Sequence, residues 1–210
     1  MMSSELKKRI LSSVILLPIV FYIIIEGDIL FNIFITIVLF LSIYEFYKFK
    51  LNIFFNFYGI IYLLISFYTI FSFRNMIDEN SLLYFLIVII ICVGSDIGGF
   101  IFGKILKGPK LTKISPNKTY SGLIGSYILS CVFILFFFLI QNRYDLITLN
   151  FMLIVIIIST VSQLGDLFIS FLKRKSKIKD TGSIIPGHGG VLDRIDGMIF
   201  AFPISYLIFY

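Results

Sequence analysis

The chain is short of charge, of cysteine and of histidine. Charged residues fill 14% of its 210 positions, against about 25% in soluble globular domains. Hydrophobic residues make up 59%, and mean hydropathy is +1.01. That balance excludes a domain whose whole surface faces water, and the excess apolar surface has to meet lipid. The two cysteines, Cys92 and Cys131, both sit inside apolar runs. They read as small buried residues rather than a disulfide framework. The start, MMSSELKKRILSSVILLPIVFYIII, has a basic head and an apolar body but no Ala-x-Ala-like cleavage site. A retained first helix is expected, not a removed signal peptide. No internal repeat is evident, and the glycine spacing of a Walker loop is absent.

What is present is apolar sequence in seven windows, roughly 10–25, 29–47, 57–73, 81–102, 122–140, 146–165 and 190–210. Each is near the ~20 residues a membrane-spanning helix needs. The expected fold is an all-α integral membrane protein: one polytopic domain over residues 1–210, a bundle of about seven transmembrane helices with a polar site facing the cytoplasm. With the N-terminus inside, sixteen of the eighteen Lys and Arg residues fall on one side, and only Arg74 and Arg143 on the other. That asymmetry sets the orientation, N-terminus cytoplasmic. It also concentrates positive charge on one face, where it attracts nucleotides or anionic lipid head groups.

The longest polar interval is residues 170–196, SFLKRKSKIKDTGSIIPGHGGVLDRID. It carries six of the Lys and Arg residues, three acids and the only His, His188. Acids at the ends of apolar segments are costly in a membrane and mark functional positions. Asp166 ends one apolar window, and Asp193 and Asp196 open another, three apart and so on one helical face. Asp96 lies about 22 Å along its own window, near the same cytoplasmic edge. Carboxylates beside lysines suit Mg²⁺, which takes one or two carboxylates and fills its other positions with water and phosphate oxygens. Asp166, Asp193 and Asp196 are the candidate ligands. The competing reading of Asp193 and Asp196 is an acid placed in the first turn of a helix. The loop between windows four and five offers Ser115, Asn117, Lys118 and Thr119 as donors for a triphosphate. The glycines around His188 allow close approach of an anion to the backbone, and those of Ser95-Asp96-Ile97-Gly98-Gly99 either do the same or let helices pack closely.

These residues carry a resemblance. The run of Ser170, Lys173, Arg174, Lys179, Asp180, Gly182, Pro186, His188, Gly189, Gly190, Asp193, Arg194 and Asp196 resembles the C-terminal signature of the phosphatidate cytidylyltransferase family, the CDP-diacylglycerol synthases. Gln163 to Leu167, Ser95 with Asp96, Gly103 with Lys104, and Ser115 to Gly122 match as well, so the resemblance covers about residues 95–210. Asn117, Tyr120 and Ser121 depart from the residues usual in the family. The resemblance implies condensation of CTP with phosphatidic acid to CDP-diacylglycerol and pyrophosphate, with Mg²⁺ as cofactor and K⁺ as a helper ion. It implies metal binding by Asp166, Asp193 and Asp196, and phosphate contacts from Ser115, Thr119, Lys118, Lys173, Arg174, Lys179 and Arg194. His188 is placed at a phosphate or leaving group, and Asp96 orients a lysine or a second ion. Expected partners are the two substrates and membrane lipids, a second copy of the chain in a homodimer, and no nucleic acid. The expected location is the inner (plasma) membrane. The alternatives are a related CTP-dependent membrane lipid kinase, such as a polyprenol kinase, and a transporter.

Overall fold

A computed structural model describes residues 4–76, 78–112, 115–185, 187 and 189–210. The helices are α1 (Ser4–Glu26), α2 (Asp28–Tyr47), α3 (Ile53–Asn75), α4 (Ser81–Leu106), α5 (Tyr120–Ile140), α6 (Leu149–Lys175), α7 (Leu192–Ile195) and α8 (Met198–Phe209), with a 3₁₀ turn at Tyr144–Leu146. Among the described residues there is no strand, only isolated bridges at Lys110–Thr119 and Ile185–Gly189. Five helices, α2 to α6, are long and apolar enough to cross a membrane, and α1 and α8 add shorter apolar segments. The chain is an all-α, multi-pass membrane protein.

Two shifts of the expected boundaries bear on the polar interval. The sixth window ends at residue 165, but α6 runs on to Lys175 because Ile169 and Leu172 are still buried. At 1.5 Å per residue its 27 residues span about 40 Å, more than the ~30 Å hydrocarbon core, so one end projects from it. Asp166 is therefore inside a helix, and the basic Lys173, Arg174 and Lys175 occupy its last turn, where cations suit the macrodipole. The seventh window is not one helix. α7 stops at Ile195, and the N–H of Gly197 donates to Asp196 Oδ1 at 2.9 Å in the turn before α8. Asp193 thus lies in α7 and Asp196 in the following turn, so the two do not share one continuous helical face.

The chain divides into two compact units. The first is Met1–Leu82 with Leu172–Ile195, and the second is Leu83–Phe171 with Asp196–Tyr210. In the first unit, α1 and α2 join at Gly27, whose φ of +74° suits glycine. The Arg74 guanidinium from α3 donates to Ile24 O and Ile25 O, both at 2.9 Å, closing the exposed carbonyls at the end of α1. A side chain at Gly27 would collide with that guanidinium.

In the second unit, α4 and α5 touch backbone to backbone. Gly98 faces the carbonyl of Gly125, and Gly94 faces the backbone of Ser130. The hydroxyls of Ser126 and Ser130 donate across to Ser95 O at 2.7 Å and Ile91 O at 3.0 Å. Small residues that let backbones approach, with hydroxyls bonded across, are how helices associate without a hydrophobic drive between them. The glycines after Asp96 are thus packing residues. Between α6 and α8, Gly165 makes room for the Phe200 side chain and Gly197 lies against Ser162.

Candidate active site

The polar interval folds around Asp193 in the first unit. Just past the end of α6, Lys177 takes φ +57°, with Ile178 N–H donating to Lys173 O at 2.9 Å and Lys177 N–H to Arg174 O at 3.0 Å, a Schellman-type stop. The chain then turns back through Thr181 and a tight loop in which Ile185 N–H donates to Gly189 O at 3.0 Å. Gly187 and Gly189 take the left-handed φ values of +76° and +90° that this loop requires. The loop delivers its N–H groups to one carboxylate. Asp193 Oδ1 accepts from Lys173 Nζ at 2.7 Å. Asp193 Oδ2 lies 2.8 Å from the Thr181 N–H, 3.0 Å from the Thr181 hydroxyl and 3.1 Å from the Gly190 N–H. The two side chains are 12% and 7% exposed. Burial pushes the Asp193 carboxyl up, but the Lys173 bond and charge and the N–H groups of Thr181 and Gly190 outweigh it, holding the group below the ordinary aspartate value.

A second carboxylate lies behind the first. Glu45, on α2, is fully buried. It accepts from the Thr181 hydroxyl at 2.8 Å, from Val191 N–H at 2.9 Å and from Leu192 N–H at 2.8 Å. A methyl group at Gly190 would collide with both the Glu45 carboxylate and the Thr181 hydroxyl, and one at Gly182 would come within 2.6 Å of Glu45 Oε1. These two loop glycines make room for Glu45. Sequence reasoning passed over Glu45, although a lone acid closing an apolar run was the available signal.

The second unit holds a separate ion pair. In the loop between α4 and α5, Leu111 N–H donates to Lys118 O at 2.8 Å and Tyr120 N–H to Pro109 O at 3.1 Å. From this loop Lys118 Nζ lies 2.5 Å from Asp166 Oδ2, with the two side chains 26% and 29% exposed. Ser170, one turn on, donates to Asp166 Oδ1 at 3.3 Å. Thr119 caps α5: its hydroxyl accepts from Gly122 N–H at 3.1 Å and is hydrogen-bonded to Ser121 Oγ at 2.9 Å. Ser115 holds the turn through its carbonyl, which accepts from Lys118 N–H at 3.0 Å.

Of the remaining expected site residues, Arg174, Lys179 and Arg194 are exposed in the first unit, and Asp96 is exposed on α4. Asp196 is half-buried in the turn before α8. His188 lies outside the described residues. Among the described residues, no three His, Cys, Asp or Glu side chains gather as a ready-made metal nest. Mg²⁺ does not require one, since water and substrate phosphate supply most of its ligands. Asp166 and Asp196 fit that use as hard oxygen donors that keep some solvent access. Asp193 differs in burial: it is 7% exposed against 29% for Asp166, and its oxygens accept from the Lys173 ammonium and the N–H groups of Thr181 and Gly190.

Residues 50–210 match the sequence model of the cytidylyltransferase family. The phosphatidate cytidylyltransferase of Rickettsia felis is 38% identical over 208 residues, covering 95% of this chain and 90% of that protein. That of Rickettsia bellii is 44% identical over 140 residues, covering 63% of this chain and 61% of its own length. That of Bacillus subtilis is 38% identical over 136 residues, covering 64% of this chain and 50% of its own. With the matched residues spanning α3 to α8 and the Lys173–Asp193 and Lys118–Asp166 pairs among them, the chain belongs to the cytidylyltransferase family.

Proposed function

We propose that this chain is a phosphatidate cytidylyltransferase of the inner (plasma) membrane, working from its cytoplasmic side. The observation that carries the reading is the 38% identity to the Rickettsia felis enzyme over 95% of the chain. In the reaction, a phosphate oxygen of phosphatidic acid attacks the α-phosphorus of CTP. The new phosphorus–oxygen bond forms as the bond to the β-phosphate breaks, so CDP-diacylglycerol and pyrophosphate are the products. Both reactants are anions and repel, so positioned positive charge is the first requirement.

The chain's own cations meet that requirement. Lys118 is a point charge fixed by Asp166, and Lys173 one fixed by Asp193. A bound phosphate competes with each carboxylate for its ammonium group. Arg174, Lys179 and Arg194 are exposed for further phosphate contacts, and Ser115 and His188 belong to the same reading. Asp166 and Asp196 would hold Mg²⁺, while Asp193 serves first as the partner of Lys173. When bound, Mg²⁺ neutralises charge on the reacting phosphates. The basic loops face the cytoplasm, where CTP is found, and the protein works as a homodimer in the bilayer.

The test is turnover by the purified, detergent-solubilised chain given labelled CTP, phosphatidic acid and Mg²⁺, with EDTA and polyprenol arms beside it. CDP-diacylglycerol and pyrophosphate formed only with Mg²⁺ is the expected result. Phosphate transfer to the polyprenol instead would move the chain to the lipid-kinase reading.

A further inference from the structure

Glu45 lies upstream of residues 50–210, outside the part that matches the family model. It reaches the signature loop across 136 to 147 positions of sequence. A fully buried carboxylate is costly unless hydrogen-bonded, and the donors Glu45 meets among the described residues are neutral: one hydroxyl and two backbone N–H groups. An apolar side chain of similar volume would serve packing as well or better. What a carboxylate adds is the ability to fix several donors at once.

The donors it fixes lead to the reaction centre. Thr181 is 2% exposed, and its single hydroxyl lies 2.8 Å from Glu45 Oε2 and 3.0 Å from Asp193 Oδ2. Its N–H donates to Asp193 at 2.8 Å. Val191 and Leu192 are the residues just before Asp193, and their N–H groups are both held by Glu45. So Glu45 grips the Asp193 neighbourhood from both strands of the loop, and Asp193 in turn holds Lys173. Gly182 and Gly190 leave the space that this grip needs.

We infer that Glu45 is a positioning residue: through Thr181 and the Val191–Leu192 backbone it orients Asp193, and through Asp193 the Lys173 ammonium. The inference rests on the activity proposed above, but its wiring is testable without it. Glu45→Gln keeps the volume and turns one acceptor into a donor facing the N–H groups. In the full-length protein in detergent, amide exchange of peptides within 178–194 rises at least tenfold while peptides from α5 exchange as before. The kcat per folded molecule falls at least tenfold, with KM for CTP changed less than threefold, because Lys173 is misaligned rather than lost.

Unchanged exchange in 178–194 together with kcat within twofold of the parent overturns the inference. A parent protein with no turnover, but with the exchange response intact, removes the activity reading and leaves the wiring. Should Glu45→Gln not fold, Thr181→Val severs only the hydroxyl link. A fall in kcat of at least fivefold in that variant supports the inference, and parent-like turnover with parent-like exchange overturns it.

Discussion

Lys173 Nζ donates to Asp193 Oδ1 at 2.7 Å, and the pair is 12% and 7% exposed. Lys118 and Asp166 form a second close lysine–aspartate pair among the described residues, but at 26% and 29% exposure. The same two residue types are thus joined in two solvents, and burial decides what each pair contributes. Breaking a buried pair from one side leaves a charge stranded. Breaking a half-exposed one lets water take the place of the lost partner.

For the buried pair, Lys173→Met leaves the Asp193 carboxylate without its cation. The expected loss of stability is about 3 kcal/mol, at the lower end of buried-pair breakage because the Thr181 and Gly190 N–H groups remain on Oδ2. The double variant Lys173→Met with Asp193→Leu removes both charges and recovers part of that loss. Denaturant unfolding in detergent measures both. An equal loss in the single and double variants would show that the stranded charge is not the cause.

The Lys118–Asp166 pair behaves in the opposite way. Lys118→Met costs under ~1 kcal/mol of stability, as partly exposed pairs do. On the proposed function it also removes a charge that binds substrate phosphate, so CDP-diacylglycerol formation is expected to fall at least 100-fold. Unfolding and turnover measured on one preparation separate the two effects. A variant that is destabilised yet fully active would reverse the assignment.

The difference between what could and could not be read from sequence follows the range of the interactions. Apolar runs are a local signal: the first six windows each coincide with one apolar helix, and five of these, α2 to α6, are long and apolar enough to cross a membrane. Their ends are less local: α6 runs past Asp166 because Ile169 and Leu172 find buried sites, and the last window breaks at Gly197. Lys118, Asp166, Lys173 and Asp193 were legible because they lie within short motifs. Their pairing was not, since no spacing rule links 118 to 166 or 173 to 193. Glu45 was least legible of all, being one acid whose partners lie 136 to 147 positions away.

The α4–α5 contact distinguishes neighbouring glycines. A methyl group at Gly98 would press on the backbone of Gly125, which cannot yield without separating the helices. At Gly99 the nearest atom is the Ser126 hydroxyl at 2.9 Å, with the next at 3.9 Å, so yielding there costs the Ser126–Ser95 hydrogen bond rather than the separation of two backbones. Gly98→Ala is therefore expected to cost on the order of 1–3 kcal/mol, in the range of overpacking, and Gly99→Ala less than half as much. Thermal unfolding of the two variants in one detergent gives the order, and equal midpoints would mean that the helices separate freely.

Orientation is the prediction that bears most directly on substrate access, because CTP reaches only the side on which the signature loop opens. From the distribution of Lys and Arg, that loop, with Asp180 exposed on it, is expected on the cytoplasmic side, and the turn between α5 and α6 on the other. Asp145 in that turn is 65% exposed. In a background with Cys92 and Cys131 replaced by serine, Asp145→Cys should react with a membrane-impermeant maleimide in intact cells. Asp180→Cys should react only after the membrane is opened. The reverse pattern would put the basic loops outside, away from the nucleotide. Labelling of both positions in intact cells would contradict the multi-pass path itself, since α6 separates the two and is long and apolar enough to cross the bilayer.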